Sequence, residues 1–376
     1  MKDDLEKKLL ELSDIGRRRH LREASVTRPG YVMLDGRECL NLCSNDYLGL
    51  MSELTANPDI DAGSTASRLI TGTHPAIIKL EKTLAEFHQQ EACLLFGSGY
   101  LANSGIIPAL IERDDVVYSD KLNHASIVDG CRLSLGEHSR YRHNDIAHLD
   151  SLMKNSTHNR KLIVTDSIFS MDGDCCELQA LVDLKKKYGA WLMVDDAHGA
   201  AVYGNEGRGW PDEQGLADEV DIYIGTLGKA YGVYGAYVCG SQLLIDYLIN
   251  HSRSFIYSTG ISPVIADLCL QAHEKVIAAT TARTQLKENA DFFREALAEI
   301  GFQTLGTTHI IPLIVGDDKR ALALSEMLYE NNIAALAIRP PTVPEGSARI
   351  RFSIMASHKK EELEKVIDLL SEKGEL

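Results

Sequence analysis

Apolar positions change their period several times along the chain, and each change predicts a new element. From His74 onward, Ile77, Leu80, Leu84 and Phe87 recur at three and four residues, the spacing of one helix face, and Pro75 suits its first position. Strand-like runs then alternate with helical ones: ACLLF (92–96), DDVVYS (114–119), KLIVTDSIF (161–169), WLMVDD (191–196) and DIYIGTLG (221–228). The helical stretch over 178–188 sets Leu178, Leu181, Val182 and Leu184 on one side. It ends in Lys185, Lys186 and Lys187 followed by Gly189, cations and a glycine where a helix stops. Such alternation predicts an α/β fold with a mainly parallel sheet covered by helices.

The two ends follow other patterns. Residues 2–23 read as a charged helix, and YVMLDGRECLNL (31–42) as a hairpin turning at Asp35-Gly36. In the last third a helix carries Leu286, Ala290, Phe293, Leu297 and Ile300. Strands are expected near 310–316, 334–339 and 348–354, and a closing helix presents Leu363, Val366, Ile367 and Leu370. The expected organisation is an N-terminal arm over 1–44, a large domain over 45–270 and a smaller α+β domain over 271–376.

Charge and cysteine usage narrow the function. With 39 basic against 54 acidic residues the net charge is −15, which repels polyanions and argues against a nucleic-acid partner. No apolar run is long enough for a membrane span, and the opening MKDDLEKKLL has acids where a signal peptide needs basic then apolar residues. A cytoplasmic protein is expected. The eight cysteines show no CxxC pair and no Cys/His metal spacing, so they read as buried free thiols with no metal site.

Two segments point to chemistry. WLMVDDAHG (191–199) delivers Asp195 and His198 at the C-terminal end of a strand, where open α/β sheets bind ligands. DIYIGTLGKAYG (221–232) runs from a strand into Thr226 and Lys229 between glycines. Taken singly, these are a helix cap, a core histidine and a loop lysine. Together they supply what pyridoxal phosphate chemistry needs: an amine to bond the cofactor covalently, a carboxylate for its ring nitrogen and a donor for its ring oxygen. GSGYLAN (97–103) adds a glycine loop between strand and helix, able to take phosphate on backbone N–H groups. His124 in KLNHAS follows another strand and could stack on a flat cofactor.

These motifs, with SNDYLGL (44–50), SRLITGTH (67–74), FSMDGD (169–174), IYST (256–259), IRPPTVP (338–344) and ARIRFSIMASH (348–358), occur in an order that resembles the α-oxoamine synthase family of fold-type I pyridoxal-phosphate enzymes. The resemblance spans almost the whole chain. It implies a mainly parallel seven-stranded sheet, a smaller C-terminal α+β domain, an N-terminal arm and a homodimer with shared sites.

Residue by residue it implies Lys229 as covalent anchor and general base, Asp195 on the ring nitrogen, His198 and Ser170 on the ring oxygen, and His124 stacked on the ring, facing cofactor and substrate alike. Thr226 with backbone groups of Gly99 and Tyr100 would hold the phosphate, joined by Ser258 or Thr259 from the partner subunit. For substrate it implies Arg351, or Arg349 on the same strand face, for a carboxylate, assisted by Asn45. Arg19 of RRRHLR (17–22) and Thr342 would meet the acyl group. The reaction implied is a decarboxylative condensation of L-alanine with a pimeloyl thioester of coenzyme A or a carrier protein, because IRPPTVP resembles the pimeloyl-using branch. A glycine acetyltransferase is the alternative, and a non-catalytic subunit of the same fold is disfavoured by the presence of Lys229.

Overall fold

Seven short strands build the central sheet of the computed structural model, which describes residues 1–373. They are β1 (Ala92–Phe96), β2 (Val116–Asp120), β3 (Glu137–Tyr141), β4 (Lys161–Asp166), β5 (Trp191–Asp195), β6 (Ile222–Thr226) and β7 (Ala236–Gly240). Their order is β1-β7-β6-β5-β4-β2-β3. Strands β2 to β6 run parallel, while β7 is antiparallel to both neighbours. The double reversal leaves β1 pointing the same way as β6, so six strands end on one edge.

Every residue of β1, β2, β6 and β7 is buried, which is why these segments read as continuous apolar runs without alternation. Leu94, Phe96, Val164, Met193, Ile224 and Val238 pack there against Ile106, Ile107 and Ile127 from the helices Gly99–Leu110 and Ala125–Leu133. The expected helix over 178–188 is present, ending at Gly189 in the left-handed conformation. Strand β3 was not evident from pattern because EHSRY lies at the sheet margin and buries only Tyr141 fully.

This sheet belongs to one of two compact units, Glu53–Ser170 with Cys175–Thr280. The other comprises Met1–Ser52, Met171–Asp174 and the chain from Thr281 onward. In that second unit Tyr31–Leu34 and Arg37–Asn41 form the expected hairpin, with Asp35 and Gly36 both at positive φ as a two-residue turn requires. The strand expected near 334–339 is instead two pairs of residues serving two sheets. Ile333–Ala334 runs parallel to Arg37–Asn41, whereas Ala337–Ile338 joins Ala348–Ser353, which also pairs with Ile310–Gly316.

The expected N-terminal helix is shorter, Lys2–Asp14, and buries no residue. It breaks at Gly16, at φ 69°, beyond which Arg17 turns to bond Asp318 and Glu345. RRRHLR is therefore an irregular segment and not a helix face. Helix Thr280–Glu299 buries Leu286, Ala290, Phe293 and Leu297, and Lys360–Lys373 buries Leu363, Val366, Ile367 and Leu370. All eight cysteines are free thiols, with Cys43 and Cys175 half-buried and the rest buried. Among the described residues no helix is long and apolar enough to cross a membrane.

Candidate active site

The edge where β1, β2, β4, β5 and β6 end gathers most of the chemistry in the first unit. Strand β5 delivers Asp195, which is buried and accepts the Ala197 N–H on Oδ1 (3.0 Å) and the Asn103 amide on Oδ2 (2.6 Å). The chain then turns, with the N–H groups of Gly199 and Ala200 donating to the Asp196 carbonyl. This turn brings His198 to Lys229: their Nε2 and Nζ are 2.8 Å apart, close enough to share one proton.

Lys229 is held by the turn beyond β6. Thr226 Oγ1 donates to the Gly235 carbonyl (3.1 Å) and accepts the Gly228 N–H (3.3 Å), and the Gly232 N–H closes on the Lys229 carbonyl (2.7 Å). On the phosphate side, Ser98 caps helix Gly99–Leu110 by accepting the Leu101 N–H (3.2 Å). An added Cβ at Gly99 would meet nothing within 4 Å, so space is open beside the helix N-terminus. Tyr100 is exposed and its hydroxyl donates to Asp129.

Strand β4 ends in Asp166, buried like Asp195 and accepting the His124 N–H (2.7 Å). Burial, reinforced by the neighbouring Asp195, pushes the Asp166 carboxyl well above the usual carboxylate range. His124 caps helix Ala125–Leu133: its Nδ1 accepts the Ser126 N–H (3.3 Å) and lies 2.7 Å from Ser126 Oγ. Asp196, one residue beyond β5, accepts Tyr223 OH (2.8 Å), the Trp210 N–H (3.0 Å) and Ser167 Oγ. Burial pushes its carboxyl up to about 7.

Other expected residues of this unit lie further along the chain. Ser170 is half-buried beyond β4. Ser258 and Thr259 follow helix Arg253–Ile256, where Thr259 bridges Ser67 and so joins the IYST and SRLITGTH motifs.

In the second unit Arg349 and Arg351 are both buried on strand Ala348–Ser353, but they serve different partners. Arg349 donates to Asp172 and to the Met171 carbonyl (3.0 Å), fixing the 171–174 segment. Arg351 reaches Asn45 Oδ1 with both terminal nitrogens (3.4 Å each) and Ser353 Oγ (2.5 Å). Arg19 donates to Thr342 Oγ1 (3.3 Å) beside a cleft of about 60 Å³ that Arg17 and Arg339 also line.

Sequence reasoning assigned no part to Asn103, Ser126, Asp166 and Asp196. Two of them had a usable signal: Asp166 closes KLIVTD as Asp195 closes WLMVD, and Asn103 ends GSGYLAN.

A lysine, a buried carboxylate, an imidazole and an open helix N-terminus on the C-terminal edge of this sheet define the fold-type I pyridoxal-phosphate transferase fold. Residues 37–370 match the aminotransferase class I and II family, and the chain belongs to it. It is 46% identical over 370 residues to the 8-amino-7-oxononanoate synthase of Geobacter metallireducens, covering 96% of this chain and 95% of the relative. Among solved structures, serine palmitoyltransferase from S. paucimobilis with bound PLP and myriocin superposes at TM-score 0.92 and 27% identity, over 99% of this chain and 97% of that one. The 8-amino-7-oxononanoate synthase of Francisella tularensis superposes at 0.75 and 26% identity, over 89% and 98%.

Proposed function

We propose that the chain condenses L-alanine with a pimeloyl thioester and releases carbon dioxide to form 8-amino-7-oxononanoate, the reaction after which the Geobacter relative is named, in biotin biosynthesis. The observation that carries this reading is the meeting of Lys229, His198 and Asp195 at the ends of β5 and β6, joined to full-length similarity to a protein of that name.

The donor set fits pyridoxal phosphate. Lys229 offers an amine, Asp195 a buried carboxylate for a protonated ring nitrogen, and the open N-terminus at Gly99, next to Tyr100 in sequence, a place for phosphate that Thr226 would share. When bound, the cofactor supplies an electron sink for the carbanion formed at the amino acid's Cα. Lys229 takes the Cα proton and returns it at the end. Asp195 keeps the ring nitrogen's proton in place. With the cofactor bound, Ser170 and His198 would orient the ring oxygen and His124 would lie against the ring.

Arg351 with Asn45 takes the substrate carboxylate in this reading, since Arg349 is already committed to Asp172. Arg19 and Thr342 orient the acyl group. The enzyme works as a homodimer in which Ser258 or Thr259 reaches the partner's phosphate, and it resides in the cytoplasm.

The test is the release of coenzyme A by purified protein reconstituted with pyridoxal phosphate. Release with L-alanine and pimeloyl coenzyme A, and little with glycine and acetyl coenzyme A, is expected. Serine with palmitoyl coenzyme A deserves its own arm, because the serine palmitoyltransferase superposes better than the Francisella enzyme. Preference for either other pair would keep the family and replace the substrates. Asp195→Ala should stay folded and lose cofactor or turnover; retained wild-type rates would sink the assignment.

A further inference from the structure

We propose that Asn103 is a positioning residue that holds the carboxylate of Asp195 and, through Ser126, the ring of His124 in one fixed relation. The inference rests on the reading that this edge binds pyridoxal phosphate.

The side-chain amide of Asn103 is fully buried, so water does not compete for it. Its Nδ2 donates one hydrogen to Asp195 Oδ2 (2.6 Å) and the other to Ser126 Oγ (2.9 Å). Rotating the amide by half a turn would set its oxygen against a carboxylate oxygen, so the orientation is forced. Ser126 Oγ, having accepted from Asn103, points its own hydrogen at His124 Nδ1 (2.7 Å). That nitrogen also accepts the Ser126 N–H, which leaves the proton of a neutral ring on Nε2. One amide thus sets both the rotation of a carboxylate and the tautomer of an imidazole.

Two further observations separate this from ordinary packing. Asn103 Oδ1 is buried with no hydrogen-bond partner among the described residues, a penalty that leucine of similar size would not incur. Asparagine is therefore favoured here for its two donors. In addition, helix Ala125–Leu133 approaches helix Gly99–Leu110 over Gly130, where a Cβ would lie 2.6 Å from the Asn103 carbonyl oxygen. The absence of a side chain at Gly130 lets Ser126 come within reach. With Ala197 N–H on Oδ1 and Asn103 on Oδ2, each oxygen of Asp195 has one fixed donor and retains acceptor capacity for a ring-nitrogen proton.

The experiment uses the full chain loaded with pyridoxal phosphate and reads cofactor dissociation by equilibrium dialysis, the pH midpoint of the visible absorption, and kcat against KM. Asn103→Leu keeps volume and removes both donors; Asn103→Ala is the smaller, more readily accommodated change. Each is expected to raise the cofactor dissociation constant about tenfold, to move the absorption midpoint and to lower kcat more than it raises KM. Added to Asp195→Asn, either change should raise the constant less than about twofold further, because the partner it acts through has been altered.

Folded Asn103 variants with wild-type dissociation and absorption midpoint would overturn the proposal. So would losses that simply multiply with those of Asp195→Asn, or failure of both variants to fold, which would make Asn103 a packing residue. A wild-type protein that binds no pyridoxal phosphate on Lys229 would instead remove the underlying reading.

Discussion

The two units fix their buried titratable groups by different routes. At the candidate site in Glu53–Ser170 with Cys175–Thr280, the groups are carboxyls at or just beyond strand ends, Asp166, Asp195 and Asp196, and the donors that hold them are neutral: backbone N–H groups, an amide and hydroxyls. In the other unit the buried charges are arginines, held by partners far away in the chain. Arg349 meets Asp172 across 177 residues and Arg351 meets Asn45 across 306. The first arrangement is delivered by strands whose neighbours already share an edge. The second exists only once distant segments have folded together, and removing one partner leaves a charge buried without compensation.

The sharpest test of this contrast is to remove one charge from each side. Lys229→Ala should lower turnover by roughly 10²–10⁴-fold or more, measured as coenzyme A release, while the melting curve stays near wild type, because its role in the proposed reaction is proton transfer and not packing. Arg349→Leu should do the reverse in kind. It removes the partner of Asp172 and should cost about 3 kcal/mol in urea unfolding. Arg351→Lys sharpens the comparison within one strand. It keeps the charge and loses the planar fork, so KM for the amino acid should rise with little change in stability. A stability loss in Arg351→Lys as large as that of Arg349→Leu would mean that both arginines are structural.

The same contrast explains what could be read in advance. β1, β2, β4, β5 and β6 were legible because burial on both faces writes a continuous apolar run, and Asp195, Thr226 and Lys229 stand at the ends of such runs. The hairpin at Asp35-Gly36 was legible because the turn needs two residues at positive φ. Helix 2–23 was overextended because the one local stop signal, Gly16, was passed over, and the bond that carries Arg17 away to Asp318, 301 residues on, is visible only in the fold. The split of 334–339 between two sheets was hidden for the same reason, since each two-residue strand is defined by its partner and not by its own pattern. Asn103 lay inside a recognised motif, yet its bond to Asp195 crosses 92 residues and could only be seen in the fold.

Histidines provide a smaller test, and here the two units should behave alike. Burial pushes His88 down to about 3 and His273 to about 4 in one unit, and His358 to about 4 in the other. Each is neutral when folded, while the unfolded chain protonates near 6.5. Their contribution is therefore complete above about pH 6.5 and is lost as pH falls toward 4. Asp196 works in the opposite direction, because its folded carboxyl titrates at about 7 and the unfolded one near 3.8, so it gains stability as the solution is acidified. Between pH 7 and pH 5 each buried histidine should cost roughly 2 kcal/mol. His273→Gln and His358→Asn should each reduce the loss over that interval by a similar amount, read from urea midpoints at the two pH values. An undiminished loss in either variant would place the acid sensitivity elsewhere.

The smallest expected effect separates the buried arginines from a half-buried one, Arg17, within one unit. Arg17 bonds Asp318 at 2.8 Å and Glu345 at 2.8 and 2.5 Å, a geometry as good as that of Arg349, and these two acids raise its pKa further. Glu345, however, is largely exposed, and solvent around that pair screens the attraction. Arg17→Gln should therefore shift the urea midpoint only slightly at low salt. The difference from wild type should disappear near 1 M salt, where the Debye length falls to about 3 Å. The deficit of Arg349→Leu should persist at the same salt, because the guanidinium it lacks sits where ions do not reach. If the Arg17 deficit also persisted, the arm would be anchored by desolvated charge through Asp318, and the distinction between the buried strand arginines and the half-buried Arg17 would fail at this residue.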